Sequence, residues 1–418
     1  MMIFEEEDKN KMEYQPMAKI KVIGVGGAGN NIVNSMIEAN GKDIEYIVAN
    51  KDAQALQLSQ ADEKIQLGVK LTKGLGSGAN PEVGRRAAEE DLDKIMNCVK
   101  DADIVFLTGG MGGGTGSGAL AVIAKALREQ GVLTISIVTK PFIFEGKRRS
   151  KIAEKAVSEL KKQVDTLLVL PNQKLLDVAG DDVSMLDAFS MINDVLNQSV
   201  RGISEIITKP GHINVDFADL KAIIKDMGLA VMGTGKASGQ DRTRQAALDA
   251  ISSPLLENMS IQGARGVLLN IIGGPSLKLH EINEAASIVY EQAADDANII
   301  LGSVINPEMG EEVVVTIIAT GFSQEEQDEI QVQACKLDFA SNNDDKEKAP
   351  EPAPEQAPQP QEQPSQEAPE QAPVEEPEPQ QEEDKKECID VNDLDVPAYL
   401  RKEARSEERR VGKECRSR

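Results

Sequence analysis

Thr108-Gly109-Gly110-Met111-Gly112-Gly113-Gly114-Thr115-Gly116-Ser117-Gly118 is the stretch on which the fold turns. Seven of these eleven residues are glycine. An apolar run, Ile104–Leu107, precedes them and reads as a buried strand; a helical stretch, Gly118–Gln130, follows at once. So much glycine at a helix start destabilises the helix unless the backbone must close around a ligand. A second loop lies upstream, where Ile20–Val25 runs into Gly24-Val-Gly26-Gly27-Ala28-Gly29-Asn30-Asn31. Gly24, Gly26 and Gly29 make GxGxxG between a strand and a helix, which alone is a weak sign of a dinucleotide or of a plain tight turn. Together, two glycine loops at the carboxyl ends of parallel strands can converge on one polyphosphate. Neither is a Walker A loop, because no GxxxxGK[ST] occurs.

Working outward, the apolar runs Ile44–Val48, Val132–Val138 and Thr166–Leu170 alternate with helical stretches such as Pro81–Asn97. That rhythm predicts βαβ units and a mostly parallel sheet. Leu186, Phe189, Ile192, Leu196, Val200, Ile203 and Ile207 recur at helical spacing, predicting one long helix over Ser184–Thr208 that Pro210 and Gly211 stop. Asp216–Thr320 mixes helices (Gly239–Ile251, His280–Asp296) with β-rich runs (Ala264–Ile272, Val313–Ala319). The expected fold class is α/β: a Rossmann-like parallel-sheet domain joined by a long central helix to a smaller α+β domain, then a disordered tail.

The expected boundaries are a disordered leader at 1–18, a nucleotide domain at 19–183, the helix at 184–210 and the α+β domain at 211–322. A linker at 323–388 follows, because ten of the chain's 19 prolines lie between Ala349 and Glu387 among Glu, Gln and Ala. Such a composition cannot bury enough apolar surface to offset its ordering entropy. At 389–404 Ile389, Val391, Leu394, Val396, Tyr399 and Leu400 return, which reads as a docking peptide at the end of a tether. Residues 405–418, RSEERRVGKECRSR, resemble the translation of a common sequencing-adapter read and are set aside as an artefact.

Composition narrows the function. A net charge of −24 speaks against a nucleic-acid surface. Four scattered cysteines and two histidines speak against disulfide and zinc frameworks, and fit a reduced cytoplasm. The first residues are acidic where a secretory leader would be basic, and no apolar run reaches a membrane span. Direct membrane insertion is not expected.

GGMGGGTGSG at Gly109–Gly118 resembles the signature loop of the tubulin/FtsZ family, and GVGGAGNN at Gly24–Asn31 resembles its first nucleotide loop. KGLGSGANPEVG at Lys73–Gly84 and KPFIFEGKRR at Lys140–Arg149 are similar to the FtsZ side of that family. Lys51 departs from the pattern, since relatives commonly carry Thr there. The resemblance covers roughly Ile20 to Gly321. It implies a GTPase that polymerises head to tail into the ring at the bacterial division site, binding GTP or GDP with Mg²⁺.

It further implies that Gly27, Ala28, Gly29, Asn30 and Asn31 line phosphates and sugar, that Gly114, Thr115 and Gly116 hold the terminal phosphates, and that Glu145 and Arg149 bind ribose. Spacing alone favours an ordinary helix ion pair for Glu145 and Arg149. Asn193 would meet the guanine edge and Phe189 its ring; on pattern alone both are unremarkable helix residues. No side chain is assigned to a metal.

No base lies in either glycine loop. Asn214-Val-Asp216-Phe-Ala-Asp219 places two carboxylates three residues apart at a helix start, where capping is the ordinary explanation. The segment resembles the family's catalytic loop, which enters the nucleotide site of the next subunit. That implies catalytic roles for Asp216 and Asp219, with Asn214 orienting. The resemblance extends to the tail, implying that Asp390–Ala404 binds membrane-tethering or regulatory division proteins of the FtsA, SepF or ZipA type. A dehydrogenase is the rival, but the second strand ends at Asn50 rather than at an acidic residue for a ribose diol. A scaffold that binds nucleotide without turnover is the other, and the Asp pair speaks against it.

Overall fold

A ten-stranded sheet runs through the protein in the order β3-β2-β1-β4-β5-β6-β7-β10-β8-β9. The computed structural model describes residues 18–323 except 40–43, 73–75, 77, 181, 209–212, 214, 254–260 and 295. The leader, linker, docking peptide and terminal stretch expected from sequence lie outside the described residues, as does Asn214.

Strands β1 (Ile20–Val25), β2 (Glu45–Asn50), β3 (Glu63–Gln66), β4 (Ile104–Gly110), β5 (Leu133–Lys140) and β6 (Thr166–Pro171) all pair in parallel. Every residue of β1 and β5 is buried, as a sheet covered on both faces requires. Alternation divides the core. Ile23, Val25, Ile47, Val105 and Leu107 face one side, and Val22, Tyr46, Val48, Ile104 and Phe106 face the other.

Helix α1 (Gly26–Glu38) follows β1; short α2 (Ala53–Leu58) and α3 (Val69–Thr72) flank β3. The single helix expected over Pro81–Asn97 is two, α4 (Pro81–Glu90) and α5 (Leu92–Cys98). Asp91 breaks it: its backbone leaves the helical region (φ −113, ψ 18), and its carboxylate accepts from Gly68 N at 2.7 Å and pairs with Lys94 at 2.6 Å. Helices α6 (Thr115–Glu129) and α7 (Lys147–Leu160) complete that layer, and α8 (Asn172–Ala179) follows β6.

Helix α9 (Met185–Thr208) is the long helix expected from sequence. Its carboxyl half packs under the second part of the sheet, where Asn270 Nδ2 donates to Gly202 O at 3.0 Å. After α10 (Phe217–Ile224), β7 (Gly228–Ser238) continues the parallel sheet from β6 and then pairs antiparallel with β10 (Glu312–Thr320). Strands β8 (Gly266–Gly273) and β9 (Asn298–Ile305) close that end, with α11 (Arg242–Ile251) and α12 (Leu279–Gln292) packed together on it. Arg242, 4% exposed, joins them by donating to Glu281 and Glu311 at 2.9 Å each. No helix among the described residues is long and apolar enough to cross a membrane.

Candidate nucleotide site

The strand order reverses between β1 and β4, and a cleft of about 310 Å³ opens at the carboxyl edge there. Its floor is made by two helix starts. Gly26, Gly27 and Ala28 open α1; Gly114, Thr115 and Gly116 open α6. Neither helix has a side-chain cap or an acidic residue in its first turn. Both therefore present unsatisfied N–H groups and the positive end of a macrodipole to the same space, which suits an anion.

The second loop is held by backbone packing against α4. A Cβ on Gly84 would stand 2.1 Å from Gly114 O, so only glycine lets α4 approach there. Sequence reading quoted Gly84 without finding this role, because the contact joins residues 30 apart.

The other wall is set up for a ring and a sugar. Phe189 is 39% exposed and meets buried Phe142 edge-on at 5.5 Å, which fixes its plane while leaving a face open. Asn193, one turn on, lines the same wall. Arg149 pairs with Glu145, and Glu145 Oε1 also accepts from Phe142 N at 3.0 Å. The pair is not the shared helix face that spacing suggested. Glu145 sits in a 3₁₀ turn (Ile143–Glu145), and Gly146 at φ 96 separates it from α7.

Of the residues expected to bind nucleotide, Gly27, Ala28, Asn31, Gly114, Thr115, Gly116, Glu145, Arg149, Phe189 and Asn193 line this one cleft. Gly29 and Asn30 do not. Gly29 packs α1 against the sheet: a Cβ there would lie 2.9 Å from Thr108 O. Asn30 is 2% exposed and points into the protein with neither polar atom partnered. The structure adds Thr139, Pro141, Ile192 and Asn172. Asn172 is buried with its Oδ1 unpartnered, an acceptor left over for a ligand donor. Its only sequence signal was its place just after a strand.

Asp216 and Asp219 are elsewhere. Both are exposed at the start of α10, and neither carboxylate has a hydrogen-bond or ion-pair partner among the described residues. Asp216 occupies the N-cap position but makes no capping hydrogen bond, so capping does not account for it. The far end of α10 is fixed at the amino edge of the sheet, where Thr166 Oγ1 donates to Ile224 O at 2.6 Å. No residue of α10 lines the cleft.

Comparison with known proteins agrees with this geometry. Residues 19–180 match the model of the tubulin/FtsZ family GTPase domain, and residues 228–323 match that of the FtsZ family C-terminal domain. An FtsZ dimer from M. jannaschii is 40% identical with a TM-score of 0.70, covering 73% of this chain and 89% of that one. CetZ2 from Haloferax volcanii, at 21% identity and TM-score 0.64 over 77% of this chain and 99% of that one, shares the fold. A nucleotide cleft between two glycine loops, two family domains in sequence order and this identity to a solved relative place the chain in the tubulin/FtsZ family, as a GTPase of the FtsZ type.

Proposed function

We propose that this GTPase assembles head to tail and completes its hydrolytic centre only where two copies meet. The observation that carries this is a separation of parts. The cleft holds an anion cradle, and its one carboxylate, Glu145, is engaged by Arg149; two unengaged carboxylates, Asp216 and Asp219, stand on a different helix outside it. Stacking copies along one axis brings the α10 start of one to the cleft of the next.

In that contact the amides of Gly27, Ala28, Gly114, Thr115 and Gly116 hold the phosphates. Asn193, Asn31 and Asn172 meet the base and sugar edges, Phe189 packs on the ring, and Arg149 with Glu145 binds ribose. The partner copy's carboxylates orient a water and accept its proton as its oxygen bonds to the γ-phosphorus. The bond from that phosphorus to the β-phosphate oxygen breaks, leaving GDP and inorganic phosphate. Asn214 would orient the same water.

Of the residues lining the cleft, the Thr115 hydroxyl at the start of α6 would be a hard oxygen ligand for Mg²⁺. When bound it would neutralise charge on the phosphates.

The family reading extends to cell division. Filaments of this protein would build the septation ring at midcell in a bacterial cytoplasm, tethered through Asp390–Ala404 to proteins of the FtsA, SepF or ZipA type. The test is GTP turnover per subunit against protein concentration. Turnover should rise cooperatively above a threshold; a constant rate per subunit down to concentrations where the protein is monomeric would overturn the shared centre.

A further inference from the structure

Lys51 is fully buried, 0% exposed, and its Nζ has no hydrogen-bond partner. It follows β2 directly, at the sheet edge on which the cleft opens. Ala49 pairs with Val25 in the parallel ladder, so Lys51 and Gly27 stand two residues beyond paired positions at the same edge. No carboxylate partners it among the described residues. Asp52 caps α2, accepting from Gln54 N at 2.9 Å, and Asp91 is taken by Gly68 N and Lys94.

Burial pushes the Lys51 ammonium below its ordinary 10.5. An ammonium in this position costs several kcal/mol unless an anion completes it. The cleft, for its part, is short of positive charge. Among the described residues Arg149 is the only cationic side chain that lines it, and Glu145 already pairs with it. A triphosphate would bring about three or four negative charges to a cleft whose described cation is already paired, and neither glycine loop supplies the lysine that serves this purpose in other phosphate loops.

We propose that Lys51 distinguishes triphosphate from diphosphate: its flexible stem carries the ammonium from the carboxyl end of β2 to the terminal phosphate, and GDP offers it nothing. Lys51 is not among the residues that line the cleft, so this role requires its side chain to turn out of the core towards the terminal phosphate. The inference rests on the nucleotide reading of the cleft.

The test is binding of GTP and of GDP to the full chain, at concentrations too low for assembly, with Lys51→Met and Lys51→Thr beside the parent. Both variants should bind GTP at least about tenfold more weakly than the parent and bind GDP within about twofold of it. Ligand-free Lys51→Met should melt no lower than the parent, because an unpaired buried charge has gone. GTP affinity unchanged, or GTP and GDP weakened alike, would overturn the role of Lys51 and leave the cleft intact. A parent that binds neither nucleotide would overturn both.

Discussion

Helices α1 and α6 begin as α10 does, with no side chain capping their first amides, yet they carry opposite decoration. The first turns of α1 and α6 contain no acid and are largely glycine. The start of α10 carries Asp216 at the cap position and Asp219 in the first turn. The same backbone device therefore does two things. Where side chains leave the positive helix end bare, an anion must come from a ligand; where they supply carboxylates, the helix holds those carboxylates out for something else. Two surfaces of this kind, with no residue in common, are what the proposed shared centre asks of each copy.

Removing the decoration from α10 should give the largest effect. Asp216→Ala and Asp219→Ala should each lower GTP turnover by about a hundredfold to ten-thousandfold while leaving GTP affinity unchanged in equilibrium binding. Adding the decoration to α6 is the reciprocal change. Thr115→Asp places a carboxylate where phosphates bind, and nucleotide affinity should fall about a hundredfold, read by titration with labelled GTP. A Thr115→Asp variant that bound GTP normally would mean that the α6 start is not the phosphate cradle.

Smaller changes sharpen the contrast. Gly84→Ala drives a Cβ into Gly114 O and should cost about 2 kcal/mol of stability in thermal unfolding, with weaker nucleotide binding, while leaving α10 untouched. Phe189→Ala should weaken GTP and GDP about tenfold alike, by loss of ring stacking, with turnover of bound nucleotide unaltered.

What could be read before the structure was what depends on neighbours in sequence. The glycine loops, the apolar runs of β1, β4, β5 and β6, and the period of α9 are local signals, and all appear in the fold. Strands β3, β7 and β9 were not foreseen. β3 is four residues with two charges, and β7 carries three glycines, which mask strand propensity. The break at Asp91 depends on Gly68, and the need for glycine at 84 depends on Gly114, so neither can be seen locally. Glu145 and Arg149 were paired correctly on the wrong geometry, because Gly146 interrupts the helix between them. Lys51 was visible only as a departure; lysine is so rarely buried that composition gives no hint of it.

The most direct measurement mixes two inactive proteins. Thr115→Asp keeps the carboxylates and lacks the cradle; Asp216→Ala keeps the cradle and lacks a carboxylate. Each alone should be nearly silent, and the mixture, at concentrations that support assembly, should recover GTP turnover as hybrid contacts form. If the mixture assembles and stays silent, or if Asp216→Ala alone turns over GTP at the parental rate, the hydrolytic centre is not shared between copies.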